Sequence, residues 1–483
     1  MPQQYDALIL KLAAYAIEPL TPSKEALATA RLCLADALGC AIAALQFPAC
    51  TKLLGPVVPG TIVPFGCRVP GIGHVLDPVC GAFNLGSMIR WLDYNDTWLA
   101  VEWAHPSDNI GGLLMLADHL QQCKIGLCSP DASQDSKQLT TVHDLLIAII
   151  KAYEIQGVLC LSNSFNSIGL DHVMFVKVAT AAVATSLLDG TTNDACAAIS
   201  NAWVDICPLR TYRHAPNVGS RKSWAAGDAT SRGIQFALMA MKGEMGYPKA
   251  LSAARWGLCD VLFEGKPLTI DQDLGCYIME NILFKVDFPA EFHAQTAVEE
   301  AIAIHKYLEK QSLSIEDIAS IHIETHAAAI RIIDKKGPLH NPADRDHCLQ
   351  YMIAIGLIYG ELTANHYEDA IASDPKIDAL RNIMTVTENK QYSANYLDPS
   401  KRSISNRIQV KLIDGTTIDF GGTEYPIGHR KRRTEAIPRI WNKLQSSLET
   451  HYSKEQSNII LCAVQRDDID QMPISKFVDL FIN

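Results

Sequence analysis

The stretch Leu76–Asn109, LDPVCGAFNLGSMIRWLDYNDTWLAVEWAHPSDN, decides how the rest of the chain is read. Asp77 is placed to cap the first free N–H groups of a helix, and Pro78 suits its first position. Gly86, Ile89 and Asp93 follow at helical spacing, which predicts that Asp93 projects from a largely apolar face. Thr97 lies one turn further if the helix lasts that long. Asp93 and Asp96 then sit near the helix C-terminus, where the dipole disfavours negative charge; with burial, this makes a carboxylate a better proton acceptor. His105 follows on a short connection, and Ser107 or Asp108 can cap the next helix. Carboxylate, hydroxyl and imidazole gather around one turn. A plainer reading stands beside this one: Asp-Thr at a helix end also serves as a turn device, and HPSD as a helix start.

Outward from this stretch the N-terminal half reads as helices. Residues 5–44 are helical in pattern, with Thr21-Pro22 as cap and first position, and residues 50–77 form a Pro-, Gly- and Val-rich loop with a short hairpin. Further helices are expected over 109–122, 141–160, 173–188 and 193–204, with a polar surface loop at 128–138. Apolar residues on more than one face of 141–160 mark a helix buried among others, and closely spaced alanines favour tight helix contacts. After about residue 270 the character changes. Residues 296–311 and 348–360 read as helices, IASIHIET (Ile318–Thr325) as a strand, and Arg407–Phe420 as a hairpin turning at Asp414-Gly415. His322 and His326 are read as ordinary strand residues, since strand spacing does not bring them together. The tail over 437–481 is again helical.

At 483 residues the chain is long enough for two or three domains, and 48% hydrophobic with 20% charged residues describes a globular protein without long apolar spans. The net charge of −11 argues against nucleic acid, which calls for a basic face. Fourteen cysteines without a C-x-x-C pair suit reduced thiols in the cytoplasm and give poor support to a zinc ribbon or iron–sulfur cluster. Residues 1–11 carry no signal-peptide pattern, no run suggests a membrane span, and no glycine-rich fingerprint points to a nucleotide. No metal and no cofactor are expected.

One stretch departs from this acidity. Leu209–Arg232, LRTYRHAPNVGSRKSWAAGDATSR, holds Arg210, Arg213, Arg221, Lys222 and Arg232 against the single acid Asp228. Such a cluster fits a small polyanion, because guanidinium and ammonium groups recognise carboxylates; a solvated loop or a structural ion-pair set is the alternative. Further on, FKVDFPAEFHAQ sets Lys285 and His293 around a proline turn.

With these stretches in view, the chain resembles the MmgE/PrpD family over almost its whole length. The resemblance is carried by TKLLGPVVPGTIVP, RWLDYNDTWLAVEWAHPSDN, YEIQG, LRTYRHAPN, RKSWAAGDATSR, GEMGYPKAL, FPAEFHAQTAVE, RIIDKKGPLHNPADRDHC and EYPIGH. It implies a mainly α fold with an α+β domain. The large all-helical domain comprises residues 1–270 and the returning tail 428–483, and a smaller α+β lid covers 271–427. It further implies a homodimer with an active site between lid and helices. The family's acid, hydroxyl and imidazole fall on Asp93, Thr97 and His105, and its lysines on Lys222 and Lys285. A tyrosine falls on Tyr351, and Arg221 stands beside Lys222. The implied reaction is metal-independent acid–base elimination of water from a small tricarboxylate, 2-methylcitrate, in propionate catabolism, with citrate and cis-aconitate as side substrates. Decarboxylation of cis-aconitate is the competing activity. It calls for a histidine shortly after YEIQG, where this chain reads VLCLSN, and His172 lies further on. An epimerase or isomerase of the same fold and a silent storage member are the remaining alternatives.

Overall fold

The structure is a computed structural model describing residues 4–127, 140–206, 208–214 and 216–482; the loop expected at 128–138 lies outside them. The chain divides into two compact units, one of 1–211, 221–282 and 440–483, the other of 212–220 and 283–439.

The first unit is helical: Ala7–Ile17, Lys24–Ala44, Pro78–Arg90, Ile110–Leu127, Val142–Ser162, Val173–Leu187, Thr192–Val204 and Arg221–Ala240 are its main helices. Caps follow the local chemistry. Thr141 and Thr191 each form a capping box with an aspartate three residues on. Lys24–Ala44 is capped not by Thr21 but by Ser23, whose hydroxyl accepts from Ala26 N. The loop before Pro78 contains the expected short hairpin, Cys67–Arg68 paired with Val75–Leu76. Lys24–Ala44 and Val142–Ser162 are each long and apolar enough to cross a membrane; 83% of each apolar window is buried inside the protein, as in core helices.

Three glycines set the spacing of the helices that matter below. Pro78–Arg90 packs along both Arg221–Ala240 and Ile110–Leu127. A Cβ on Gly86 would meet Gly227 Cα at 2.8 Å, one on Gly111 would meet Gly86 N at 2.6 Å, and one on Gly227 would meet Phe83 O at 2.5 Å. Backbones lie against backbones here, and any side chain would force them apart.

The second unit is α+β. Ile318–Thr325 is central in a four-stranded sheet, flanked by Met384–Glu388 (parallel) and by Arg407–Leu412 (antiparallel), with Thr417–Asp419 outermost. The hairpin turns at Gly415 as its sequence predicts; Met384–Glu388 is an addition to the expected strands. Ile321, Ile323, Ile408 and Val410 bury one face with Ala297 and Ala301 of helix Gln295–Lys310 and Met352 of helix Leu349–Tyr359. His322 stays on the strand, between Thr385 and Thr387. His326 leaves it to cap helix Ala327–Ile333, and its ring stacks on Tyr396.

Candidate active site

Asp77 caps Pro78–Arg90 as its position implies, accepting from Val79 N and Cys80 N at 3.0 Å each. The helix ends at Arg90, earlier than the periodicity suggests. Asp93 adopts φ +48° in the turn that follows, so neither it nor Thr97 lies on the helical face expected from spacing. Aspartate is among the few non-glycine residues that tolerate this left-handed region. The turn leads into a two-residue hairpin, Trp98–Leu99 with Trp103–Ala104, which carries His105 back beside Asp93.

The resulting cluster is buried and charged. Arg90, 2% exposed, pairs with the Asp93 carboxylate, and its other amino group is 2.9 Å from His105 Nε2. Lys222, near the start of Arg221–Ala240, places Nζ 3.9 Å from the second Asp93 oxygen. An ionised Asp93 is thus compensated by two cations, and His105 Nε2 lies 3.9 Å from it. A guanidinium can only donate, so His105 Nε2 accepts. On the other side Nδ1 is 2.8 Å from the Asp96 carbonyl, which can only accept, so the imidazole proton is on Nδ1. The Thr97 hydroxyl, 3.2 Å from Nδ1, shares that proton. His105 is held as a neutral ring with its acceptor nitrogen turned to the charged cluster.

Neighbouring residues support this arrangement. Besides its carbonyl, Asp96 offers a carboxylate that accepts from Tyr153 OH (2.5 Å), Ser107 N (3.1 Å) and Ser107 Oγ (2.7 Å). Burial pushes this carboxyl up to about 6, against the pull of those bonds. His172 also belongs here: its ring centroid is 5.8 Å from that of His105, and its Nδ1 is 3.2 Å from Asp171. His172, which chain spacing set aside, thus stands beside the His105 ring in the fold. Arg90 carried a signal, a charge on an otherwise apolar helix next to an acidic turn. His172 carried none, because only the folded chain brings it to His105.

The basic stretch does not act as one cluster. Arg210 lies over the Trp103 ring at 5.9 Å, Arg213 over Tyr212, and Arg232 pairs with Asp205. Arg221 stacks on Trp224 at 4.3 Å and lines a cavity of about 400 Å³ with Lys177, Asp205, Asp228 and Arg232; Lys222 forms the ion pair with Asp93.

The remaining two expected residues lie in the second unit. Lys285 is 1% exposed; burial raises the nearby Glu291 carboxyl, but His293 above all, then His347 and Lys285, outweigh it and hold it down at about 2. His293 connects Glu291 Oε1 (2.8 Å) to the Tyr396 hydroxyl (3.1 Å), a chain that sequence reading did not join. Tyr351 donates to the His366 carbonyl at 2.6 Å and packs on Tyr367, which places its hydroxyl in the packing of this unit.

The family model for the MmgE/PrpD N-terminal domain matches residues 10–271, and that for the MmgE/PrpD C-terminal domain matches residues 288–467. The 2-methylcitrate dehydratase of Escherichia coli (strain K12) is 51% identical over 480 residues, covering 99% of this chain and 98% of its own length. That of Cupriavidus necator is 52% identical over 477 residues, with 99% and 97% covered. The mitochondrial 2-methylcitrate dehydratase of Yarrowia lipolytica is 51% identical over 478 residues, with 99% and 90% covered. With both halves matched in order and relatives at half identity from end to end, this chain belongs to the MmgE/PrpD family.

Proposed function

We propose that this protein is a hydro-lyase that removes water from 2-methylcitrate to give 2-methyl-cis-aconitate, as a step of propionate catabolism. The observation that carries the reading is agreement along essentially the full chain with relatives named for that reaction. The chemistry asks for a base at carbon, a proton for the departing hydroxide, and cations for the substrate's carboxylates.

The first-unit cluster supplies matching groups. Once a substrate carboxylate draws the Arg90 guanidinium from it, His105 Nε2 takes the proton from carbon while the C–H electrons form the double bond and the C–O bond breaks. The Asp93 carboxylate, 3.9 Å away, compensates the imidazolium that forms, and the proton on Nε2 is then available to the hydroxide, which leaves as water. Asp93 and His105 act as the proton-transfer pair, with Thr97 and the Asp96 carbonyl orienting the ring. Lys222 neutralises a substrate carboxylate; Lys285, Arg221 and Tyr351 enter as substrate contacts through the family resemblance alone. The cysteine spacing and the acid–base groups support action without metal. Homodimerisation enters through the family resemblance and a cytoplasmic location through the cysteine usage, with light scattering and fractionation as their tests.

Decarboxylation of cis-aconitate is the second reading. His172 beside His105 favours keeping it, since the case against it rested on a missing imidazole. Protein pretreated with a strong chelator is mixed with 2-methylcitrate and the conjugated product followed by ultraviolet absorbance, with carbon dioxide measured in parallel on cis-aconitate. Unsaturated product without carbon dioxide supports the metal-independent hydro-lyase; carbon dioxide without dehydration overturns it.

A further inference from the structure

We propose that Lys443 is a positioning residue for the chemistry at Asp93, gripping the turn that carries this carboxylate from helix Arg433–Glu449. The proposal rests on the acid–base reading given above. Lys443 Nζ donates to Asp36 Oδ1 on helix Lys24–Ala44 at 2.6 Å and to the Tyr94 carbonyl at 2.7 Å, and it stands 3.6 Å from the centroid of the Tyr94 ring. The Lys443 and Asp36 side chains are 4% and 1% exposed. An ammonium directed at a carboxylate, a carbonyl and an aromatic face at once is fixed in direction as well as paired.

The carbonyl it holds belongs to the residue directly after Asp93. A non-glycine residue with φ +48° persists only where its surroundings over-determine it. Neighbouring residues are tied as well: Ser223 Oγ donates to Trp91 O at 3.2 Å, and the Asn95 side chain donates through Nδ2 to Ser107 Oγ at 2.8 Å. Lys443 adds a charged anchor between them. A purely structural ion pair needs Asp36 alone; the bond to Tyr94 O fixes the Tyr94–Asn95 peptide, one residue beyond Asp93, and so restrains the turn that aims the carboxylate toward Lys222 and His105.

The experiment uses the full-length protein and ultraviolet assay of 2-methylcitrate turnover. Asp36→Leu/Lys443→Met removes both charges together and strands neither in the interior. Its expected behaviour is a wild-type circular dichroism spectrum, a kcat lower by about tenfold or more, and a KM within about threefold, because small misplacement of a reacting group costs rate more than affinity. Lys443→Arg restores a charged donor and most of kcat. On an Asp93→Asn background the paired replacement adds nothing. Asp36→Asn is an independent check, since it weakens the ion pair but leaves the bond to Tyr94: its kcat stays within about twofold although it melts lower. An impaired Asp93→Asn beside a paired variant with wild-type kcat overturns the proposal alone, as does a further loss of equal factor on the Asp93→Asn background or a collapsed kcat in Asp36→Asn. An Asp93→Asn protein with normal turnover overturns the reading of Asp93 itself, and this proposal with it.

Discussion

Glu102 sits three residues before His105, completely buried, accepting from Asn166 N at 2.7 Å and Ser164 Oγ at 3.2 Å through Oε2, while Oε1 has no hydrogen-bond partner. Burial pushes its carboxyl from 4.5 up to about 7, against the pull of Asn166 N and Arg210. Each tenfold change in proton affinity is worth about 1.4 kcal/mol, so ionising Glu102 in the folded protein costs about 3 kcal/mol more than in the unfolded chain. The sign follows from proton binding: the folded carboxyl keeps its proton to higher pH, so its contribution to stability is intact at low pH. It declines as pH climbs from about 4.5 through about 7. Glu102→Gln retains an oxygen for Asn166 N and abolishes the titration. Urea unfolding of both proteins, followed by tryptophan fluorescence, is expected to show the variant gaining on wild type by about 2–3 kcal/mol between pH 5 and pH 8. Taking the difference at each pH cancels the groups both proteins share. A wild-type-minus-variant difference that is flat across this range would refute the argument from burial.

Other outcomes follow from the geometry. Asp93→Asn is expected to keep the circular dichroism of the parent and lose about a hundredfold or more in kcat, measured by ultraviolet turnover. Gly86→Ala, whose methyl would meet Gly227 Cα at 2.8 Å, should cost about 1–3 kcal/mol and lower turnover, while Gly73→Ala, with nothing within 4 Å, should leave the melting temperature nearly unchanged. Tyr351→Phe loses the bond to the His366 carbonyl and about 1 kcal/mol of stability; a KM within twofold of wild type would mark its hydroxyl as packing, a tenfold rise as a substrate contact.

The helices of the first unit were legible because their apolar periodicity and caps are local signals, as with Thr141 and Asp144. The strand Ile318–Thr325 announced itself by alternation, whereas Met384–Glu388 shows only partial burial and no clean apolar alternation. The site was half legible. Asp93, Thr97 and His105 stand close in sequence and close in the fold, but the left-handed turn that separates Asp93 from its helix depends on packing around it. Arg90 was visible as a charge on an apolar helix, but its pairing with Asp93 depends on the turn that follows. His172 was hidden by chain distance, and the division of the basic stretch among Trp103, Asp93 and Asp205 by the curvature of a backbone no pattern reports.

The composition of the first unit has a consequence for how the protein is made. A ribosome finishes residues 283–439, which make up nearly all of the second unit, before it releases 440–483, the last portion of the first. The N-terminal helices therefore wait with the Asp93 turn lacking its Lys443 anchor while a later-made unit can already be complete. Translation stopped short of residue 440 would yield a chain carrying Asp93, His105 and Lys222 without the Lys443 anchor, and such fragments should be targets for proteolysis.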